Sequence, residues 1–251
     1  MLNDIITITN EIRAEKYREA KVIFLAGSIV RGEGTPSSDL DLVVVFDHLP
    51  NAYRESFFFG GYPVEAFVHD PETINYFVTE REFKSGECVM AQMISEGIEV
   101  PEPSEFSQRL KQFAASVINS RPPKLSEEDL RQMRYDITNL IDDLRHPRSK
   151  IEAVATGTDL YVVLANCYLR TNDLWTANDK SIPRKLKLAN PEFCSRFCAG
   201  FDDLFASGQT ERVISLAEDV LKPIGGFLFE GYKLDAPPNN RKSFSEFDGQ
   251  N

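Results

Sequence analysis

The chain has 251 residues and is 42% hydrophobic, enough for one large core or two modest ones. Its 39 acidic against 28 basic residues leave a net charge of −11 and a pI near 4.9, which argues against broad binding to a nucleic-acid backbone. No apolar run approaches the roughly 18 residues of a membrane span, the N-terminus is too polar for a signal peptide, and Cys88, Cys167, Cys194 and Cys198 make no zinc spacing with only three histidines. These features predict a cytoplasmic protein with buried, reduced thiols and neither a membrane nor a nucleic-acid partner.

In chain order, Ile5, Ile8 and Ile12 recur at helical spacing and predict a helix over residues 3–20. Apolar runs predict strands near 22–26, 40–46 and 63–69. Asp70 followed by Pro71 reads as a cap and a first-turn proline, opening a helix from Thr73 to Phe83. A helix over 86–95, an extended piece from Ile98 to Pro101 and a helix over 104–119 complete an α/β (α+β) domain with a small mixed sheet, residues 1–120. Arg121-Pro-Pro-Lys124 is the linker, because two prolines interrupt both helix and sheet.

Beyond the linker the patterning is helical. Ser126 before Glu127, Glu128 and Asp129 reads as a cap with an acidic first turn, and Leu130, Met133, Ile137, Leu140, Ile141 and Leu144 continue at spacings of three and four up to His146-Pro147. Further helices are predicted over 148–171, 191–206 and 209–222, so residues 125–235 form an all-α helical bundle. Residues 236–251 have the composition of a mobile tail.

The chemistry concentrates in VIFLAGSIVRGEGTPSSDLDLVVVF, from Val22 to Phe46. Gly27-Ser28 follows one apolar run, Asp39-Leu40-Asp41 heads the next, and ten residues lie between. Residues two apart on a strand share a face, so Asp39 and Asp41 project side by side. Two such carboxylates repel each other unless a cation lies between them, and Mg²⁺ prefers oxygen donors of this kind. Gly27 lets the backbone turn and come close to a ligand, while Ser28 at the start of a short helix turns its hydroxyl toward an incoming anion.

Other candidates keep two readings. Glu65 lies within the run from Val64 to Val68, where a charge is costly unless compensated; it is a metal ligand or base, or an edge-strand residue facing water. Asp47, Asp70 and Glu72 compete with it but lie at or beyond strand ends. His69 shares the face of Glu65, either near a substrate or as a polar strand end. Arg31 either approaches phosphate or makes a structural ion pair, and Ser38 either joins the nucleotide site or ends its loop. The segment from Leu174 to Leu186 holds the single tryptophan together with Lys180, Arg184 and Lys185, which clamp a triphosphate or are solvated helix charges.

Gly-Ser, a spacer of ten residues and Asp-x-Asp between apolar strands resemble the signature of the nucleotidyltransferase superfamily that includes DNA polymerase beta. The form GSIVRGEGTPSSDLDLVVV is most similar to the bacterial small-substrate branch, with its kanamycin and streptomycin/spectinomycin nucleotidyltransferases and the minimal nucleotidyltransferases of toxin-antitoxin pairs. The resemblance implies that Gly27 and Ser28 meet the nucleotide phosphates and that Asp39 and Asp41 bind metal. It implies that Glu65 completes the metal set and takes a proton, and that Lys180, Arg184 and Lys185 hold the nucleotide tail. The implied reaction moves a nucleoside monophosphate, AMP from ATP, to a hydroxyl of a small molecule with two Mg²⁺ ions and release of pyrophosphate. An aminoglycoside acceptor, hence antibiotic resistance, is the narrower form, and a homodimer is compatible with the family. The alternative is an antitoxin-like module that adenylylates or binds a partner protein, although such modules are shorter and lack a large helical half.

Overall fold

The computed structural model describes residues 2–241. The chain divides into two compact units, Met1–Lys124 with Tyr168–Ser181 and Leu125–Cys167 with Ile182–Asn251. In the first unit α1 (Leu2–Lys16) precedes β1 (Val22–Ala26), the single turn α2 (Gly27–Val30), β2 (Leu40–Val45), β3 (Tyr53–Phe59) and β4 (Tyr62–His69). There follow α3 (Pro71–Tyr76), a π-helical turn (Phe77–Glu82), α4 (Phe83–Ser85), α5 (Val89–Glu96), β5 (Ile98–Val100) and α6 (Glu105–Asn119). The strands form a five-stranded mixed sheet in the order β3-β4-β2-β1-β5. Only β2 and β4 pair in parallel; the other neighbours are antiparallel.

Alternation along the strands sorts side chains to two faces. Ile23, Leu25, Leu42, Val44, Ala66 and Val68 form a core with Ile5 and Ile12 of α1. Phe24, Val43 and Val45, with Phe67 beside them, meet the other helical layer through Ile74, Ala91, Ile94, Leu110 and Ala114. On that second face Asp41 and Glu65 stay part-exposed, at the end the helices leave open. The expected cap at Asp70 is present: its carboxylate accepts from Thr73 N at 2.8 Å and Leu49 N at 2.9 Å. Burial pushes the Asp70 carboxyl up, but these bonds outweigh it and hold the group below the usual carboxylate range.

The helix expected to run from residue 3 to 20 stops at Lys16. Strand β3 has no counterpart in the sequence reading. Its residues YRESFFF mix two charges with three consecutive phenylalanines, so no period-two pattern marks it. It exists because it sits at the sheet edge and is clamped onto β4 by Gly60-Gly61, whose φ values of 56° and 86° are the two positive angles that a tight hairpin turn demands.

Residues 168–181, which the patterning assigns to the helical domain, group with the first unit. Trp175 is the anchor. Its Nε1 donates to Ile118 O at 3.0 Å and its ring meets Phe83 edge-on at 5.8 Å. Thr176 N donates to Gly86 O at 2.9 Å and Arg170 Nη2 to Pro123 O at 2.6 Å. An indole is too large to leave in water and has one donor to satisfy, so it fixes the chain around it.

The second unit is helical, with α7 (Glu127–Arg145), α8 (Lys150–Thr171, whose last turn belongs to the first unit), α9 (Ser181–Ala189), α10 (Pro191–Ser207) and α11 (Glu211–Leu221). The expected cap of α7 at Ser126 is present and forms a capping box with Asp129, each backbone N–H bonding the other side chain at 3.0 Å. Ile137, Ile141 and Leu144 are buried along one stripe, as are Phe197, Phe201 and Leu204 of α10. Helix α9 was not expected as a separate element. The chain after α11 returns along α7, where Arg134 donates to Gly225 O and Gly226 O at 2.7 and 2.8 Å and Tyr232 stacks on Tyr135 at 3.8 Å. Of the expected tail, residues 236–241 carry no helix or strand and the rest lies outside the described residues. No described helix is long and apolar enough to cross a membrane.

Replacing Trp175 by Ala is expected to lower stability by about 2–3 kcal/mol through lost packing, and Trp175→Phe by only about 1 kcal/mol through the lost hydrogen bond. Urea denaturation followed by far-UV circular dichroism reads both.

Candidate active site

Strand register assembles the site. Across β1, β2 and β4, Ala26 pairs with Asp41 and Asp41 with Glu65, so two carboxylates stand on neighbouring strands at the same level. Asp39 joins from the loop just before β2. Ligand oxygens of Asp39, Asp41 and Glu65 all lie within 4.8 Å of one another, and all three residues are half-buried. Gly27 shapes the wall beside them. Its φ is +81°, and a Cβ built there meets Asp41 Oδ2 at 1.9 Å, so the backbone occupies a space that only glycine fits.

Residues 6–91 match the family model described as the nucleotidyltransferase domain. The first unit carries a nucleotidyltransferase domain. The matched stretch contains all three carboxylates together with Gly27 and Ser28. In structure, the chain is similar to a nucleotidyltransferase-like protein from Exiguobacterium sibiricum 255-15, with 15% identity over 88% of this chain and 74% of that one and a TM-score of 0.43. That likeness is too low to add to the assignment. No curated protein sequence matches the chain significantly.

The other expected residues fall into different settings. Ser28 is buried at the start of α2, as the sequence suggests, and donates to Ser38 Oγ at 3.3 Å. Ser38 in turn accepts from Thr35 N at 2.8 Å, so its hydroxyl ties the return loop together. Arg31 makes ion pairs, at 3.1 Å to Glu33 and 2.9 Å to Glu96. Lys180 belongs to the segment that Trp175 anchors in the first unit, and its charge reaches Asp41. Arg184 and Lys185 lie on α9 in the second unit.

Arg54 was missed, because its strand was missed. It stands on β3 opposite Phe67, with its guanidinium 5.0 Å from that ring, and donates from Nε to Glu65 Oε1 at 2.8 Å while its Nη2 reaches the same oxygen. Among the described residues Glu65 Oε2 has no hydrogen-bonding partner. The pair is a diagonal cross-strand contact. An Arg on an unrecognised strand leaves no readable signal in the sequence.

Electrostatics and shape test whether a cation fits. Burial pushes the Asp41 carboxyl up to about 6, the nearby Asp39 and Glu65 carboxylates push in the same direction, and Lys180 and Arg31 pull it partly back. A desolvated carboxylate facing two others is an acidic cluster short of positive charge, and three oxygen donors of this hardness suit Mg²⁺ or Mn²⁺. The missing Cβ at Gly27 leaves room for the Asp41 carboxylate. The residues present therefore fit a divalent metal, and Asp39, Asp41 and Glu65 are the ones that would hold it.

Because Asp41 holds its proton more tightly folded than unfolded, it favours the folded state at low pH and loses that contribution as pH rises from about 4 through about 6. Metal binding needs the ionised form. Mn²⁺ affinity measured by calorimetry is accordingly expected to fall as pH drops below about 6, with a proton released on binding near that pH. At pH 8, Asp41→Asn is expected to stabilise the metal-free protein by on the order of 1 kcal/mol, after allowance for solvent screening. Gly27→Ala is expected to weaken Mn²⁺ binding by about tenfold or more with every carboxylate still present.

Proposed function

We propose that this chain is a Mg²⁺-dependent nucleotidyltransferase that moves AMP from ATP to a hydroxyl of a small molecule. The observation carrying the proposal is the Asp39, Asp41 and Glu65 cluster, built within 4.8 Å inside the matched nucleotidyltransferase domain. When bound there, Mg²⁺ supplies charge neutralisation for the triphosphate and lowers the pKa of an acceptor hydroxyl, a pair of ions serving both tasks in two-metal sites.

The side chains divide the remaining work. Lys180 brings positive charge to the carboxylate cluster from the anchored segment, and Ser28, whose hydroxyl bonds Ser38, meets the nucleotide phosphates together with Gly27. Glu65, with Oε2 open, accepts the proton of the acceptor hydroxyl. The acceptor oxygen forms a bond to the α-phosphorus as the bond from that phosphorus to the pyrophosphate oxygen breaks, and pyrophosphate leaves with the electron pair. Little covalent work falls to the protein; positioning and charge compensation dominate.

The net charge of −11 supports a small acceptor over a nucleic acid, since a polyanion would be repelled. The same charge favours a cationic acceptor of the aminoglycoside type, but the pocket next to Glu65 has a different lining, described below.

Asp39→Asn is expected to abolish pyrophosphate release from α-labelled ATP, Mg²⁺ and a panel of hydroxylated acceptors, with an unchanged circular dichroism spectrum. Full activity in that variant overturns the assignment.

A further inference from the structure

A pocket of 480 Å³ opens along the sheet face that carries the carboxylates, on the far side of Arg54 from Asp41. Glu65, Phe67 and His69 follow one another on the same face of β4, so the pocket begins one side chain from Glu65 and ends about 13 Å away at His69. Its body is apolar: Phe67, Phe77, Val89, Met90 and Met93 line it. An aromatic and thioether surface of this kind suits a flat ring.

Three polar features break that surface, and the fold builds each of them. The π-helical turn from Phe77 to Glu82, with its i→i+5 pattern, brings Phe77, Arg81 and Glu82 to the pocket together, and such turns recur at functional sites. Arg81 lies over the Phe77 ring at 5.1 Å, and no carboxylate among the described residues stands within ion-pair distance of it. The two acidic groups in the lining are engaged elsewhere. Glu82 accepts from Met90 N at 2.9 and 3.0 Å, and Glu87 accepts from Asn178 Nδ2 at 3.3 Å.

His69 is the third feature. It is only 3% exposed, yet it lines the pocket. Its Nδ1 lies 3.2 Å from Thr73 Oγ1, whose own proton goes to Asp70 O at the shorter distance of 3.0 Å. Nδ1 is then the donor, and Nε2 carries a lone pair with no partner among the described residues. Burial holds the ring below the usual imidazole range, which keeps it neutral and preserves that lone pair.

We propose that this pocket is the acceptor subsite and takes a flat aromatic molecule bearing a carboxylate and a hydroxyl. The ring packs among Phe67, Phe77 and the methionines against the edge of the neutral His69, the carboxylate pairs with Arg81 at the rim, and the ligand hydroxyl faces Glu65. The inference rests on the nucleotidyl-transfer reading for the word acceptor, but the pocket and its charge preference can be tested without it. A polyamine such as an aminoglycoside is disfavoured by the guanidiniums of Arg54 and Arg81.

The test uses a charge-reversed pair of probes on one ring, 4-hydroxyphenylacetate and tyramine, titrated into the full chain by calorimetry, with ATP and Mg²⁺ binding measured on the same samples. The carboxylate is expected to bind at least tenfold more tightly than the amine. Arg81→Glu, an exposed substitution, is expected to abolish or invert that preference. Equal or tighter binding of tyramine to the wild-type chain, no binding of the carboxylate at millimolar concentration, or a preference unmoved by Arg81→Glu overturns the proposal. Loss of Mg²⁺-dependent ATP binding in the wild-type chain overturns the transfer reading instead, so the two failures are distinguishable.

Discussion

The site depends on one alignment: Ala26, Asp41 and Glu65 stand level across three strands, two of them paired in parallel. A slip of one residue in either pairing sends a carboxylate to the opposite face, among Leu42, Val44 and Ala66, where a charge has no partner. Packing forbids that slip, because it would exchange the side chains of the whole strand between two cores that are filled differently. The same alternation that buries the core thus holds three like charges together. Their mutual repulsion is tolerated because the core's stabilisation is far larger.

Positive charge answers that repulsion from unrelated parts of the chain. Arg54 comes from the sheet edge, Arg31 from the loop after α2 and Lys180 from a segment that follows α8. Each is placed by a different interaction: Arg54 rests on Phe67, Arg31 is held between Glu33 and Glu96, and Lys180 follows the chain that Trp175 anchors. The carboxylates are encoded within one short stretch, whereas their counter-charges are distributed.

That difference explains what the sequence discloses. Gly27, Ser28, Asp39 and Asp41 are legible because the strand period and the spacing are local, and the capping residues Asp70 and Ser126 are legible for the same reason. Glu65 was readable as a charge in an apolar run, but its level with Asp41 required the parallel register, which no local pattern sets. Arg54 was hidden with β3, whose residues lack alternation. Lys180 was visible as part of a basic cluster, yet the structure assigns it and its neighbours Arg184 and Lys185 to different units, a division made by Trp175 contacts between residues far apart in sequence. His69 shared a face with Glu65 on paper; its burial and its open ring nitrogen came only from packing.

The discontinuity of the first unit has a consequence for how it is made. Domains fold as their segments emerge, N-terminal parts first. When Lys124 leaves the ribosome the whole sheet and its covering helices exist, but Trp175 and Lys180 do not. All of Leu125–Cys167 must be translated before that last piece arrives. Until then the Ile118 carbonyl and the Phe83 ring await their indole partner, and the carboxylate cluster lacks one of its cations. The earliest-written motif in the chain is among the last parts of the molecule to be finished.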